Sequence, residues 1–292
     1  MLESSKSMSF WLRLLILTVI LYIAFAVSGL LLGLGESPPG ESQLTVSLFT
    51  LIVCLLHAGI LSHLIVRSKW RGWQLTVTIF LIYYGIMTFL SQIETVVFLK
   101  YLADIVAAED LPALFGQGLI VAGLFSPVAV ALHGKLKTQH VGGKSPVTLG
   151  LTWDEWLKKL SLIAVVYVVI YIGFGALLFR PLVGEAFQEY YGDIGLPPWI
   201  LLLQVARAFI WAAIAVPIVR MFKGRPWEIN LAIALSFSII MGTLLLIPTS
   251  IMPTSIRLGH FAEVTLSNFI FGWLVGAILQ QPSKARPGGA SH

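Results

Sequence analysis

Four ionisable residues sit where an ionisable group is costly: Glu94, Arg207, His260 and Glu263 fall within or at the ends of long apolar runs. A charge at mid-depth in a bilayer costs roughly 2.5–3.5 kcal/mol on insertion scales, so such a residue faces a partner or a wet cavity. Glu94 lies in Ser91-Gln92-Ile93-Glu94-Thr95, about 9 Å below the end of its run at 1.5 Å per residue. Arg207, about 14 Å from the end of its own run, shares a helix face with Gln204. His260 and Glu263 share another face. Extending that face adds Arg257, Ser267 and Asn268 within an arc of roughly 140°, since successive residues turn by about 100°. Carboxylates, an imidazole and guanidinium groups at similar depth can carry a proton, hold an anionic group, or act as acid and base on a bound substrate. Two narrower readings stay open. A Glu94–Arg207 ion pair would serve assembly alone, and His260-x-x-Glu263 suits a metal ligand pair, a proton relay or a helix surface equally.

Other chemistries lack their motifs. Thr138-Gln-His-Val-Gly-Gly-Lys-Ser145 differs from a phosphate-binding loop by having Thr138 at the first glycine position. No apolar strand precedes it and Pro146 comes directly after it, so nothing would aim its backbone N–H groups at a nucleotide. His57 and His63 are about 120° apart around one helix and cannot readily share a metal; each reads as a buried or interfacial histidine. There is no HExxH, no GxSxG elbow and no paired-aspartate motif. The single cysteine, Cys54, excludes an intramolecular disulfide and a CxxC pair. No cofactor and no metal site is expected.

The elements that must position these residues are membrane spans. Apolar residues make up 57% of the 292 and charged residues only 11%, with mean hydropathy +0.88, whereas soluble domains carry roughly a quarter charged residues. Apolar runs at about 9–34, 43–66, 73–99, 112–133, 156–179, 198–219, 228–249 and 261–280 predict an all-α, polytopic protein of about eight transmembrane helices. The first run is too long for a signal-peptide core, so Ala24-Phe25-Ala26 reads as part of a span and not as a cleavage site. Thr152-Trp153-Asp154-Glu155 predicts a capping box opening the fifth span, and Trp153, Trp156 and Trp199 suit the interface belt. Lysine and arginine alternate cleanly with eight spans. Lys6, Arg13, Arg67, Lys69, Arg71, Lys135, Lys137, Lys144, Lys158, Lys159, Arg220, Lys223, Arg225, Lys284 and Arg286 all fall at one end, which places both termini in the cytoplasm. The net charge of +5 therefore reads as a topology signal in a cell membrane and not as a nucleic-acid surface.

The sequence also resembles itself. Ile65-Val66-Arg67-Ser68-Lys69-Trp70-Arg71-Gly72-Trp73-Gln74 returns as Ile218-Val219-Arg220-Met221-Phe222-Lys223-Gly224-Arg225-Pro226-Trp227-Glu228, with one inserted residue. Tyr22-Ile-Ala-Phe-Ala26 is similarly echoed by Tyr171-Ile-Gly-Phe-Gly175. This pattern predicts a 4+4 parallel tandem repeat: 1–134, a cytoplasmic linker 135–155, a second repeat 156–281 and a tail 282–292, the halves related by a pseudo-two-fold axis along the membrane normal. Gly29-x-x-x-Gly33 and Gly272-x-x-x-Gly276 each place two glycines on one helix face.

Three functions fit. The first is a transporter or lipid-handling permease in which a small solute, ion or lipid headgroup enters an outward-facing pocket between the repeats, lined by Glu94, Arg207, Arg257, His260, Glu263 and Asn268. The second is a membrane-embedded enzyme on a lipid-linked substrate, with His260 and Glu263 as acid and base and the arginines on an anionic headgroup. The third is an assembly or sensory protein. The expected partners are membrane lipids, with no nucleic acid; the oligomeric state is open.

Overall fold

The structure is a computed structural model that describes residues 2–34, 40–98, 111–137, 151–192, 199–250 and 252–282. It is all-helical. Among the described residues, eight helices are long and apolar enough to cross a membrane: Phe10–Leu31, Gln43–Arg67, Gly72–Ile93, Leu111–Leu132, Trp153–Val183, Ile200–Met221, Pro226–Leu246 and Thr254–Gln280, here spans 1 to 8. Their outward faces are apolar, as Leu15, Val19, Ile23 and Val27 on span 1 illustrate. Trp11, Trp73, Trp153 and Trp227 stand exposed at the starts of the four odd-numbered spans, an aromatic girdle at one end of the bundle.

Local sequence explains most boundaries. Thr152 and Glu155 form the expected capping box, with Thr152 N–H donating to Glu155 Oε2 at 2.9 Å. Span 1 ends in a Schellman turn: Gly33 has φ 72° and Leu34 N–H reaches the Gly29 carbonyl at 2.8 Å. Gly33 therefore terminates a helix and does not line a packing face. The other glycine pair does pack. A Cβ on Gly272 would sit 2.8 Å from Ala234 Cα and one on Gly276 3.0 Å from Asn230 Cα, so spans 7 and 8 meet backbone to backbone. Span 5 runs four residues past its expected end, through a π-helical turn at Gly175–Phe179. Span 8 begins seven residues earlier than its apolar run, directly after Pro253, because its first turns are polar but still helical.

Spans 1 and 2, 1 and 4, and 3 and 4 are neighbours in the first half; 5 and 6, 5 and 8, and 7 and 8 are neighbours in the second. Across the middle, span 2 meets span 7 and span 3 meets span 6. The interior is aromatic, with Tyr83, Phe125, Trp211, Phe237 and Phe271 fully buried and Trp211 4.2 Å from Phe237 between ring centroids. A polar thread crosses it. His57 on span 2 is buried between Tyr83 Oη at 3.1 Å and Thr243 Oγ1 at 3.0 Å, each on a different span, so its ring is spent on joining helices.

The end carrying the basic loops is built by side chains that cap helices. Lys135 Nζ donates to the carbonyls of Ile65, Val66 and Ser68 at 2.6–2.9 Å, and Lys159 Nζ to those of Ile278, Leu279 and Gln281 at 2.8–3.2 Å. Each ammonium meets the orphan carbonyls and negative dipole end of a neighbouring span. Burial, with Lys223 and Arg71 nearby, pushes the Lys135 amine down to about 8.

Candidate functional site

The sequence-predicted residues fall into three groups. The first is at the end of span 8 away from the basic loops. His260 Nδ1 lies 3.0 Å from Glu263 Oε2, one helical turn on, and its Nε2 lies 2.8 Å from Tyr191 Oη. Tyr191 comes from Glu185–Tyr191, a short helix entered from span 5 through a turn at Gly184 with φ 56°. Phe179, the last residue of the π-helical turn, stacks on the His260 ring at 3.9 Å and 15°. A wider π-turn advances the chain by an extra residue and rotates the side chains after it, which here brings Phe179 over the imidazole. Gly259 makes room for both Val183 and Phe179, since a Cβ there would overlap Val183 and crowd the Phe179 ring at 3.2 Å.

The order carboxylate, imidazole, hydroxyl has a direct chemical meaning. With Nδ1–H donated to Glu263, Nε2 is left to accept from the Tyr191 hydroxyl. The imidazole can then take up a proton on one side while the carboxylate stabilises the resulting charge on the other. His260 and Glu263 side chains are 23% and 11% exposed, so most of each group is shielded at this end of the bundle.

The second group lies deeper. Arg207, 5% exposed, donates from Nη1 to Gln204 Oε1 at 3.1 Å and from Nη2 to the Leu90 carbonyl at 3.3 Å, and its guanidinium lies 5.9 Å above the Tyr167 ring. Leu90 closes a second π-helical turn, Gly85–Leu90, in which Thr88 nests against Gly118 of span 4. One turn along span 6 from Arg207, the fully buried Trp211 carries an indole N–H with no hydrogen-bond partner among the described residues. Counted from the basic ends of their helices, Arg207 lies about 21 Å along and His260 about 30 Å along. No hydrogen bond or ion pair links Arg207 to His260 or Glu263 among the described residues. Glu94 belongs to the helix Ser91–Phe98, one turn beyond Leu90. Its side chain, and with it the expected pairing with Arg207, lies outside the described residues.

Arg257 forms the third group by itself. Its Nη1 donates to the carbonyls of Leu245 and Leu246 at 2.8 Å each, where Thr243–Leu246 ends span 7. That guanidinium therefore closes a helix terminus. Asn268 is buried on the same helix and donates to Met241 Sδ at 3.4 Å.

Sequence reasoning missed Tyr191, Phe179 and Tyr167. Their only sequence signal was aromatic residues close to the acidic loop after span 5 and on the span itself, which a bilayer interface explains equally well. No three His, Cys, Asp or Glu side chains gather into a metal-binding group among the described residues. The chain matches no known family model, no curated protein and no solved structure.

Proposed function

We propose that this multi-pass membrane protein is a proton-linked transporter or lipid-handling permease. The observation that carries the reading is the Tyr191–His260–Glu263 series, a partly shielded relay standing at one end of a bundle whose interior holds Arg207, Gln204 and an indole donor. In this reading an anionic solute or headgroup enters past His260 and reaches Arg207, and the proton held between His260 and Glu263 moves with it. Asn268 adds a buried amide to the lining, while Arg257 holds the mouth open by fixing the end of span 7.

The repeat belongs to the same proposal. The helices before the two similar loops end in Ser68 (φ −71°, ψ 139°) and Phe222 (φ −74°, ψ 138°), and the helices after them start from Arg71 and Arg225. The neighbour pattern of spans 1 to 4 is that of spans 5 to 8, and the cross-contacts 2–7 and 3–6 exchange under a two-fold rotation. These regularities support two parallel four-span halves, residues 1–134 and 156–281, around an axis along the membrane normal. The charge bias supports a cell membrane with both termini in the cytoplasm, so that His260 faces outward.

The test uses proteoliposomes loaded with a pH-sensitive dye and doped with fluorescently labelled phosphatidylglycerol or phosphatidylethanolamine. Wild-type protein should either flip the labelled lipid or move protons when small carboxylates or phosphate are added outside, and the His260→Gln, Glu263→Gln double variant should do neither. Wild-type vesicles indistinguishable from empty ones in every arm would overturn the transport reading. A second reading is kept by the same geometry: hydroxyl, imidazole and carboxylate in hydrogen-bonded series is the arrangement of an activated nucleophile. In an enzyme on a lipid-linked substrate the Tyr191 oxygen would attack the headgroup phosphorus, His260 would take the phenol proton and pass it to the departing lipid alcohol, and the headgroup left on Tyr191 until water releases it would be visible as a mass adduct in the intact protein.

A further inference from the structure

A second feature lies at the opposite end of the molecule, on its lipid-facing side. Spans 3 and 4 part to leave a groove lined by Trp73, Val77 and Phe80 on one wall and Gly123 and Pro127 on the other. Pro127 lacks the N–H that would bond the Gly123 carbonyl, and Gly123 has no side chain, so the floor is flat; a Cβ there would meet nothing within 4 Å. The hydroxyls of Thr76 and Ser126, which also border it, donate to their own helix carbonyls at Gly72 and Ala122. Apart from the Gly123 carbonyl, which Pro127 leaves without its helical donor, the surface left for a ligand is apolar. It starts at the first turn of span 3 and runs about 10 Å into the membrane, from Trp73 to Phe80.

The mouth of this groove is cationic. Arg71 immediately precedes span 3, and Gly72 N–H is tied to the Lys135 carbonyl at 2.8 Å, which holds the ends of spans 3 and 4 together. Lys69, Arg71 and Lys223 are exposed and make no ion pair among the described residues. The nearby carboxylate, Glu228, is taken by Arg67 at 2.7 Å. Burial is the main cause of the lowered pKa of the Lys135 amine, and the charges of Lys223 and Arg71 nearby add to it. An apolar groove open to lipid under an unneutralised basic rim matches one kind of molecule that is always present: an acyl chain bearing a negative headgroup.

We propose that the groove between spans 3 and 4 seats a phospholipid with an anionic headgroup, its acyl chain lying against Gly123 and its phosphate held by Arg71 and Lys69. This site is separate from the His260 relay and does not depend on the transport reading.

Native mass spectrometry of the purified protein, exchanged into equal phosphatidylglycerol and phosphatidylcholine, tests it. Wild type should retain phosphatidylglycerol over phosphatidylcholine by at least about fivefold, the worth of roughly one basic side chain beside an anionic headgroup. The Lys69→Gln, Arg71→Gln double variant should lose the preference but still bind lipid. Gly123→Leu should lose the bound lipid of both kinds, with thermal unfolding in detergent showing that it folds, since the added side chain enters open space. Equal retention of the two lipids by wild type, or a preference that survives in the double variant, overturns the proposal. Inorganic phosphate alone displacing the signal would reduce the site to a free-anion site, and dimer dissociation in Gly123→Leu would assign the groove to a second copy; either also overturns it.

Discussion

Ser68 and Phe222 pair in an antiparallel bridge at the basic end of the bundle, with Lys69 N–H on the Met221 carbonyl and Lys223 N–H on the Arg67 carbonyl, both at 2.7 Å. The two residues occupy the same place in the two similar loops, each being the first non-helical residue after its span. The similar segments thus meet each other, joining the halves through backbone that would otherwise be unsatisfied at a helix end. The ion pair Arg67–Glu228 lies beside this bridge at 2.7 Å.

That ion pair should contribute little. Its side chains are 38% and 28% exposed, so water screens much of the attraction. A double-mutant cycle with Arg67→Gln and Glu228→Gln, read by unfolding in mixed micelles, should give a coupling close to the scatter of the measurement. A much larger value would show the pair to be buried against membrane or linker in the working protein.

Gly118→Ala should destabilise the bundle by about 1–3 kcal/mol, because a Cβ on Gly118 overlaps the Thr88 side chain in the π-helical turn. Adding Thr88→Ala removes the overlapping hydroxyl and methyl and should recover roughly half of the loss. Thermal unfolding of the single and double variants measures both; an unperturbed Gly118→Ala would mean that spans 3 and 4 are not in close contact there.

Glu263→Gln and His260→Gln should each leave the protein folded, since glutamine keeps comparable volume and a hydrogen-bonding amide beside Tyr191 and Phe179. Transport should be abolished by either change, and Tyr191→Phe should lower it by removing the hydroxyl at Nε2. Normal cellular function in the His260, Glu263 double variant would end the case for this site.

Stability should fall with acid through His133, just beyond the end of span 4. Burial, with Arg13 and Lys135 nearby, pushes this imidazole down to about 4 from its ordinary 6.5. A base held below its free value binds a proton more readily in the unfolded chain, so its contribution is intact above 6.5 and is lost as pH falls from 6.5 toward about 4. Unfolding midpoints across that window should drop for wild type and flatten for His133→Gln.

The single cysteine makes topology simple to measure. Cys54 is fully buried, so in the folded protein it should stay silent toward a maleimide. A cysteine placed at position 144 should then be labelled by an impermeant reagent only in opened cells. Labelling from outside intact cells would invert the proposed orientation.

What the sequence by itself determined was what a bilayer dictates locally. Runs of apolar residues long enough to span it marked eight helices, the Thr152–Glu155 box marked where span 5 begins, and the rarity of buried charge marked Arg207, His260 and Glu263 as residues needing a partner. The identity of those partners was not legible, because it depends on which helices are neighbours. Tyr191 reaches His260 from 69 positions away in the chain, and Lys135 caps a helix that ended 68 positions earlier. Arg257 is the clearest case. Helical periodicity grouped it with His260 on one face, but tertiary packing presents the open end of span 7 to it first. Two unbonded carbonyls in a low-dielectric setting hold a guanidinium nitrogen more strongly than proximity along a helix can direct it elsewhere, so packing, and not spacing, decided which partners Arg257 Nη1 meets.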